Sequence, residues 1–473
     1  MTMKKASTLL LIAFLALCFN ACTSGGEDAP KTDEDAADSD VTDDDAADDD
    51  PTDDDVPDDD IQDGPAGVLV SVEELLDIRN KSASGQEPHA TNVAEFFTFV
   101  DSLNEASKGW PELSGEVVIR KPSSSDPIQL SADGGRLVYG LAIAWHLSGK
   151  EEYAWRAREM ILDLTDTYGY RDRFTREFRF GAQGILNLAR GGTPYIYAAD
   201  LLEGWPGWTQ EDKLVYQKWL RDVVYMKVAW ASRFCKNNWG VAGSFSSAMI
   251  AWYLRDHPDW LLEEVSPYMQ PQSEVSDFTN PPEHNRWFLD LENILRLTPS
   301  EAFESHNAYQ IGRMQTTEEW RMDARRYIWG IQINGAIPDE IRRGPDPVDG
   351  DYLPSEGDGT NYTMTHIEHL TAHAEFLRRR GDNSIFDHIA ADGSGSLLQA
   401  YRFVIDNPLG SHCFTDDRRN ALFMSYNYYK HPALLRSMEE CGESTIAGQR
   451  LALYGRLTHP VIITRSGEEP GGG

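Results

Sequence analysis

From Val68 onward, apolar residues recur at i, i+3, i+4 and i+7 in one segment after another, and this period restricts the chain to packed helices. The segments are residues 136–147, 153–167, 212–230, 244–254, 318–333, 363–380 and 396–404. Thr209-Gln210-Glu211-Asp212 has the form of an N-terminal cap ahead of the third. Gly149, Gly169 and Gly381 stand where helices should stop, because glycine enters the left-handed conformation without a Cβ penalty. Strand-like alternation is confined to residues 115–120 and 460–465. No fixed period repeats, which argues against a solenoid of identical units. Residues 67–473 are therefore expected to form one all-α domain, an (α/α) toroid or incomplete barrel of helix pairs, whose inner helices line a cleft.

The first 66 residues are of a different kind. Lys4 and Lys5 precede an apolar run over residues 9–17, which is too short to span a bilayer and fits a signal peptide over residues 1–21. Ala21 directly before Cys22 points to lipoprotein processing, with Cys22 as the acylated first residue; a plain secretory signal is the alternative. Residues 22–66 then form a tether. Between Glu27 and Asp63 there are 20 acids against Lys31 alone, so −19 of the formal −34 sits here. Such a segment cannot bury enough apolar surface to offset its ordering entropy, and its charges hold it extended. Calcium binding is the competing use of the repeat. These features place the protein in the envelope of a Gram-negative-type bacterium, as an outer-membrane lipoprotein or a periplasmic or secreted protein. Membrane contact runs through the lipid on Cys22 only.

The balance from Gly67 on is still acidic, which excludes a general nucleic-acid binder. Screening over roughly 8–10 Å lets local cationic subsites act on a polyanion despite it. Cys18 leaves with the signal and Cys22 is acylated. In the oxidising compartment that remains, Cys413 and Cys441 can bridge while Cys235 stays a buried thiol, although the sequence alone leaves the pairing open. No cysteine or histidine spacing has the form of a zinc site, and no metal is expected. The 13 tryptophans and 19 tyrosines suit sugar stacking as well as a core.

Three groups of residues carry chemistry. Asn237 and Asn238 precede Trp239-Gly240 and a helix of small residues. They are either a helix cap or an amide aimed into the cleft, with Trp239 as a sugar platform. Arg342 and Arg343 follow Pro338-Asp339-Glu340, as a favourable helix C-terminus or as a carboxylate fork. Tyr362, His366, His369 and His373 are spaced 4, 3 and 4 apart and share one helical face. That face is an active-site wall, a hydrated outer surface, or a metal site from His369 and His373. His306 and Tyr309 add a further acid or base. Together these are the parts needed to abstract a proton next to a carboxylate. The C5 hydrogen of a uronate is scarcely acidic until its carboxylate is neutralised; an amide or guanidinium does that. A tyrosine or histidine then removes the proton, and a tyrosine can protonate the departing O4.

At these residues the chain resembles the alginate-lyase family of polysaccharide lyases, which fold as α/α toroids. The resemblance runs roughly from Leu130 to Val404. It begins at Gly140-Leu141-Ala142-Ile143-Ala144-Trp145 and continues through Asn237-Asn238-Trp239-Gly240. It is strongest at Ile337-Pro338-Asp339-Glu340-Ile341-Arg342-Arg343 followed by Asn361-Tyr362. It implies that Asn238 neutralises the substrate carboxylate, that Arg342 or Arg343 assists, and that Tyr362 is base and acid with His366 beside it. Asn237, Trp239, His306 and Tyr309 would bind substrate. Two departures bear on the polymer. Mannuronate-cleaving members carry histidine where this chain has Trp239, and residues 344–360 separate the arginines from the tyrosine. The resemblance implies a monomeric lyase that cleaves alginate, glucuronan or another polyuronate by β-elimination, with an anionic polysaccharide as partner and no cofactor. The alternatives are a toroid glycoside hydrolase using Asp200, Glu304 or Glu340, a non-catalytic glycan-binding lipoprotein, and an envelope structural protein.

Overall fold

The computed structural model describes residues 67–110, 128–167, 186–225, 228–229, 232, 238–257, 260, 335, 337, 340, 358–389, 396–406, 413–416, 418–442 and 444–463, with 358–360 as backbone only. Every regular element among them is helical. The signal segment, Cys22 and the acidic tether lie outside the described residues, as do residues 115–120 and 318–333, Gly169 and Cys235.

The chain enters through α1 (Val72–Ala83), where Ser71 and Glu74 exchange hydrogen bonds as a capping box. It continues into α2 (His89–Ser107), then α3 (Ala132–Ser148) and α4 (Glu151–Thr167). Ser131 caps α3 by accepting from Asp133 and Gly134, and Gly149 ends the helix at φ 74°, where a side chain would be strained. A π-helical turn, Leu188–Gly192, leads into α5 (Thr193–Leu202). α6 (Gln210–Trp219) carries the expected Thr209–Asp212 capping box. The α-helical pattern expected to reach residue 230 gives way at Leu220 to a π-helical stretch, Leu220–Tyr225. α7 (Asn238–Tyr253) and α8 (Asp358–Arg378) follow. The short α9 (Ser384–Asp387), then α10 (Leu397–Asp406), α11 (Asn420–Tyr429), α12 (Pro432–Glu440) and the turn α13 (Gly455–Thr458) complete the order. The expected strand at 460–465 is not formed: residues 460–463 run without a partner strand.

The helices sort into inner and outer members by what they bury. α3, α5, α7 and most of α8 are buried on all sides, as inner helices must be. α4 and α6 keep an exposed polar face. α3 packs between α4 and α5, α5 meets α7, and α7 meets α8. α8 in turn packs on α10 and α11. The last described elements return to the first. Tyr454 donates to the Arg136 carbonyl in α3 (2.6 Å), Arg136 Nε to Gly448 O (2.6 Å), and Asn92 in α2 to Arg456 O (3.0 Å). A succession of inner and outer helices whose ends meet is the α/α toroid that the periodicity implied.

Small residues on α7 explain how close the inner helices come. Gly240, Ala242, Gly243, Ser244, Ser246 and Ser247 are buried, and Thr193 at the head of α5 donates to Ser246 Oγ (2.9 Å). Outside the ring, a disulfide joins Cys413 to Cys441 with Cα atoms 5.6 Å apart, which settles the pairing that the sequence left open.

Candidate active site

The site is built where the N-terminus of α7 meets the first half of α8. Helix α7 is described from Asn238, ahead of the expected residue 244, so Asn238 belongs to the helix that follows it. Its side chain is fully buried. Its Nδ2 donates to both carboxylate oxygens of Glu340 (2.9 and 3.0 Å), and its backbone N–H donates to Glu340 Oε1. Its Oδ1 accepts from Arg190 Nη2. The expectation of an amide pointing into an open cleft is therefore corrected: both ends of the Asn238 amide face protein.

Glu340 is the hub of this arrangement. It is fully buried, and besides Asn238 it accepts from His366 Nδ1 (3.3 Å). A carboxylate that receives backbone, amide and imidazole N–H groups has the donors a buried anion requires. With Nδ1 turned to Glu340, the other ring nitrogen of His366, Nε2, is a buried atom with no hydrogen-bond partner among the described residues. An imidazole oriented by a carboxylate is the arrangement that general-base chemistry requires.

His369, three residues on, is also fully buried and donates from Nδ1 to the Asn238 carbonyl (3.2 Å). Burial, with the positive charges of Arg190 and Arg450, holds its pKa well below the ordinary histidine value, so it is neutral. His373 lies deeper, its ring 5.3 Å from that of Phe245, and burial pushes its pKa down to about 3. The histidine face is thus an inner wall of the toroid, and the hydrated-surface alternative is overturned. His373 belongs to the apolar part of that wall, which leaves the pair with His369 without the polar setting of a metal site. No cluster of three metal-ligating side chains occurs among the described residues.

Tyr362 stands one turn before His366 and is half-buried, in the part of α8 nearest solvent. Trp239 is partly buried against the core at the start of α7. Asn237, Arg342, Arg343, His306 and Tyr309 lie outside the described residues.

Three arginines that the sequence did not single out gather here. Arg190 projects from the π-helical turn before α5, is half-buried and bonds Asn238. The turn seats closely because Gly191 has no Cβ: one placed there would lie 1.9 Å from the Leu130 carbonyl oxygen. Burial pushes the Arg190 pKa down, and Arg450 and Arg418 act in the same direction against Glu368 and Glu340. Two further guanidiniums and two carboxylates thus lie within electrostatic reach of Arg190. Arg418 is buried and donates to Asn361 Oδ1, next to Tyr362. The backbone N–H groups of Arg450 and Leu451 donate to Glu368 Oε1 (2.9 and 3.2 Å) on α8. Arginines remain charged at any working pH. The cluster therefore presents net positive charge in an otherwise acidic protein, beside a buried histidine and a tyrosine.

A sequence signal for Arg190 did exist. A lone cation in Leu188-Ala189-Arg190-Gly191-Gly192, between apolar and small residues, has no place on a solvated helix face. Arg418 and Arg450 lie in stretches whose composition marks nothing.

Residues 89–264 match the family model described as alginate lyase. Among solved structures, an alginate lyase from Bacteroides ovatus shares the fold with a TM-score of 0.50 and 14% sequence identity, over 80% of this chain and 97% of that one. No curated protein matches the chain. The matched region holds α2 to α7, and with them Arg190 and Asn238, so the similarity to the alginate-lyase family covers that part of the site.

Proposed function

We propose that this protein is a polysaccharide lyase that cleaves a uronic-acid polymer by β-elimination. The observation that carries the proposal is the gathering of Arg190, Arg418 and Arg450 around the Asn238–Glu340–His366 network, with Tyr362 one turn away. Elimination needs a cation against the C5 carboxylate, a base at the C5 hydrogen, and a proton for O4 as its bond to C4 breaks. Arg190 supplies the first, held in place through Nη2 by Asn238. Tyr362 removes the C5 proton and returns one to O4, and His366 Nε2 is the second base at the same wall. The electron pair of the C5–H bond becomes the C4–C5 double bond, and the product is an unsaturated uronate. Asn238 acts through Arg190 and Glu340 and not by its own contact with substrate. The family match and the shared fold support this assignment, with an anionic polysaccharide as substrate.

The hydrolase alternative needs a carboxylate open to the glycosidic oxygen. Glu340 is enclosed by Asn238 and His366, and Asp200 accepts from the backbone N–H of Val68 (3.2 Å); Glu304 lies outside the described residues. The deciding experiment is to incubate the protein with a panel of polyuronates and follow the ultraviolet absorbance of the unsaturated product. Saturated sugars with new reducing ends, and no such absorbance, would replace the lyase with a hydrolase. The same protein tested with and without residues 1–66 would assign the tether, which we propose is a dispensable spacer behind a lipid anchor on Cys22.

A further inference from the structure

We propose that Arg418 is a positioning residue for Tyr362, and that the Cys413–Cys441 disulfide holds the loop that delivers it. The inference rests on the lyase assignment above and adds to it a residue, and a covalent brace, that neither the family match nor the motif names.

Arg418 is buried, and its Nη1 donates to Asn361 Oδ1 and to Thr415 Oγ1 (3.0 Å). Asn361 is the fourth residue of α8, and its carbonyl accepts from Thr365 Oγ1 (2.9 Å), so it is built into the turn that carries Tyr362. A cation at this end of a helix opposes the macrodipole. It also stands within electrostatic reach of Arg190, another cation. An arginine placed only for stability would turn outward to water, where its charge is better solvated. Something must hold it in.

The loop supplies that hold. Cys413 is bonded to Cys441. Arg419, the neighbour of Arg418, donates from Nε to the Phe414 carbonyl (2.9 Å) and from Nη1 to the Gly442 carbonyl (2.8 Å). The disulfide and the Arg419–Gly442 bond tie Cys413 and Arg419 to the end of α12, and the Arg419–Phe414 bond ties the two sides of the loop to each other. With the loop fixed, Arg418 is held inward and its Nη1 pins Asn361. Without the brace, repulsion from Arg190 and the pull of solvent both favour release of Arg418, and Tyr362 loses its fixed turn.

The test uses the full chain carrying Arg418→Met, Asn361→Leu, the pair Cys413→Ser and Cys441→Ser, and their combinations. Turnover and KM are measured on whichever polyuronate the wild type cleaves. Amide hydrogen exchange is followed over residues 361–366, with α3 and α5 as internal standards. Arg418→Met should lower kcat by roughly 10- to 100-fold, the scale of a displaced catalytic group, with a smaller change in KM. Loss of the disulfide should lower kcat as well, but not further in the Arg418→Met background. Exchange over 361–366 should quicken in each variant while α3 and α5 hold. A rise in KM at unchanged kcat would make Arg418 a substrate contact and overturn the proposal, as would additive losses from arginine and disulfide. If the wild type forms no unsaturated product from any polyuronate, the lyase assignment fails and exchange alone decides the coupling: unchanged exchange in Arg418→Met sinks it. If the cysteine pair variant does not fold, the cycle between Arg418→Met and Asn361→Leu still decides, since independent losses would rule the contact out.

Discussion

Glu340 receives both the backbone N–H and the side-chain amide of Asn238, so one buried carboxylate starts helix α7 and fixes the residue that holds Arg190. Replacing it by glutamine removes the charge and sets an NH2 group against the Asn238 amide. One buried donor is then left unpaired, a loss of about 1–3 kcal/mol. Glu340→Gln should therefore lower the melting temperature, and by releasing the orientation of His366 it should also lower turnover. A variant with wild-type stability and turnover would show that the hub is incidental.

Arg190 is assigned the neutralising charge, which acts chiefly on the developing dianion and not on bound substrate. Arg190→Ala should cost roughly 10²–10³-fold in turnover, the loss of one oxyanion donor. Lysine should restore little, since a point charge cannot bond Asn238 and a carboxylate together with the planar fork of a guanidinium. Asn238→Ala should cost a similar factor and some stability too, because it strands Glu340. Steady-state kinetics beside melting curves separate the cases. Full turnover in Arg190→Ala would return the neutralising role to Asn238, with Arg342 or Arg343 assisting.

Tyr362 and His366 share a helical face but not an environment: the first is half-buried, the second enclosed. Tyr362→Phe should leave stability within about 1–2 kcal/mol of wild type and lower activity by at least roughly 10²-fold. His366→Gln should reduce activity less if the imidazole only supports the tyrosine. An active Tyr362→Phe beside an inactive His366→Gln would make the histidine the sole base.

The helices were legible in the sequence because their signals are local. Thr209 with Asp212, Gly149 after α3, and the apolar period of α4 each act within a turn or two, and each is where the pattern put it. The shared face of His366, His369 and His373 was legible for the same reason; that it points inward was not, since burial is set by α7 and α11, far off in sequence. Glu340 shows the same limit most clearly. Its partner Asn238 is 102 residues away, so the sequence offered Glu340 as a neighbour of Arg342 and Arg343 or as a hydrolase carboxylate, and not as the hub. Arg418 and Arg450 gain their meaning only when the ring closes.

Two groups in the inner helices should make stability depend on pH in opposite directions. His373 has its pKa depressed to about 3 by burial, from an ordinary 6.5. The unfolded chain takes up a proton below 6.5 that the folded protein refuses, so this contribution is full above pH 6.5 and is lost as pH falls. Between pH 7 and 5 the loss is about 2 kcal/mol, at 1.36 kcal/mol per unit. Asp200, at the end of α5, has its pKa raised to about 6 by burial, from 3.8. Its charged form is disfavoured in the fold, so stability is greatest below pH 4, falls as pH rises to 6, and stays lower above. After discount for its partial exposure, the penalty is on the order of 2 kcal/mol. Asp200→Asn keeps an oxygen for the Val68 N–H and removes the charge, so it should be more stable than wild type at pH 7 and no different at pH 4. His373→Leu should show the reverse trend, gaining on wild type as pH falls from 7 to 5. Denaturant unfolding of the three proteins at pH 4, 5, 6 and 7 decides it, and parallel curves for wild type and both variants would show that neither group titrates as its burial requires.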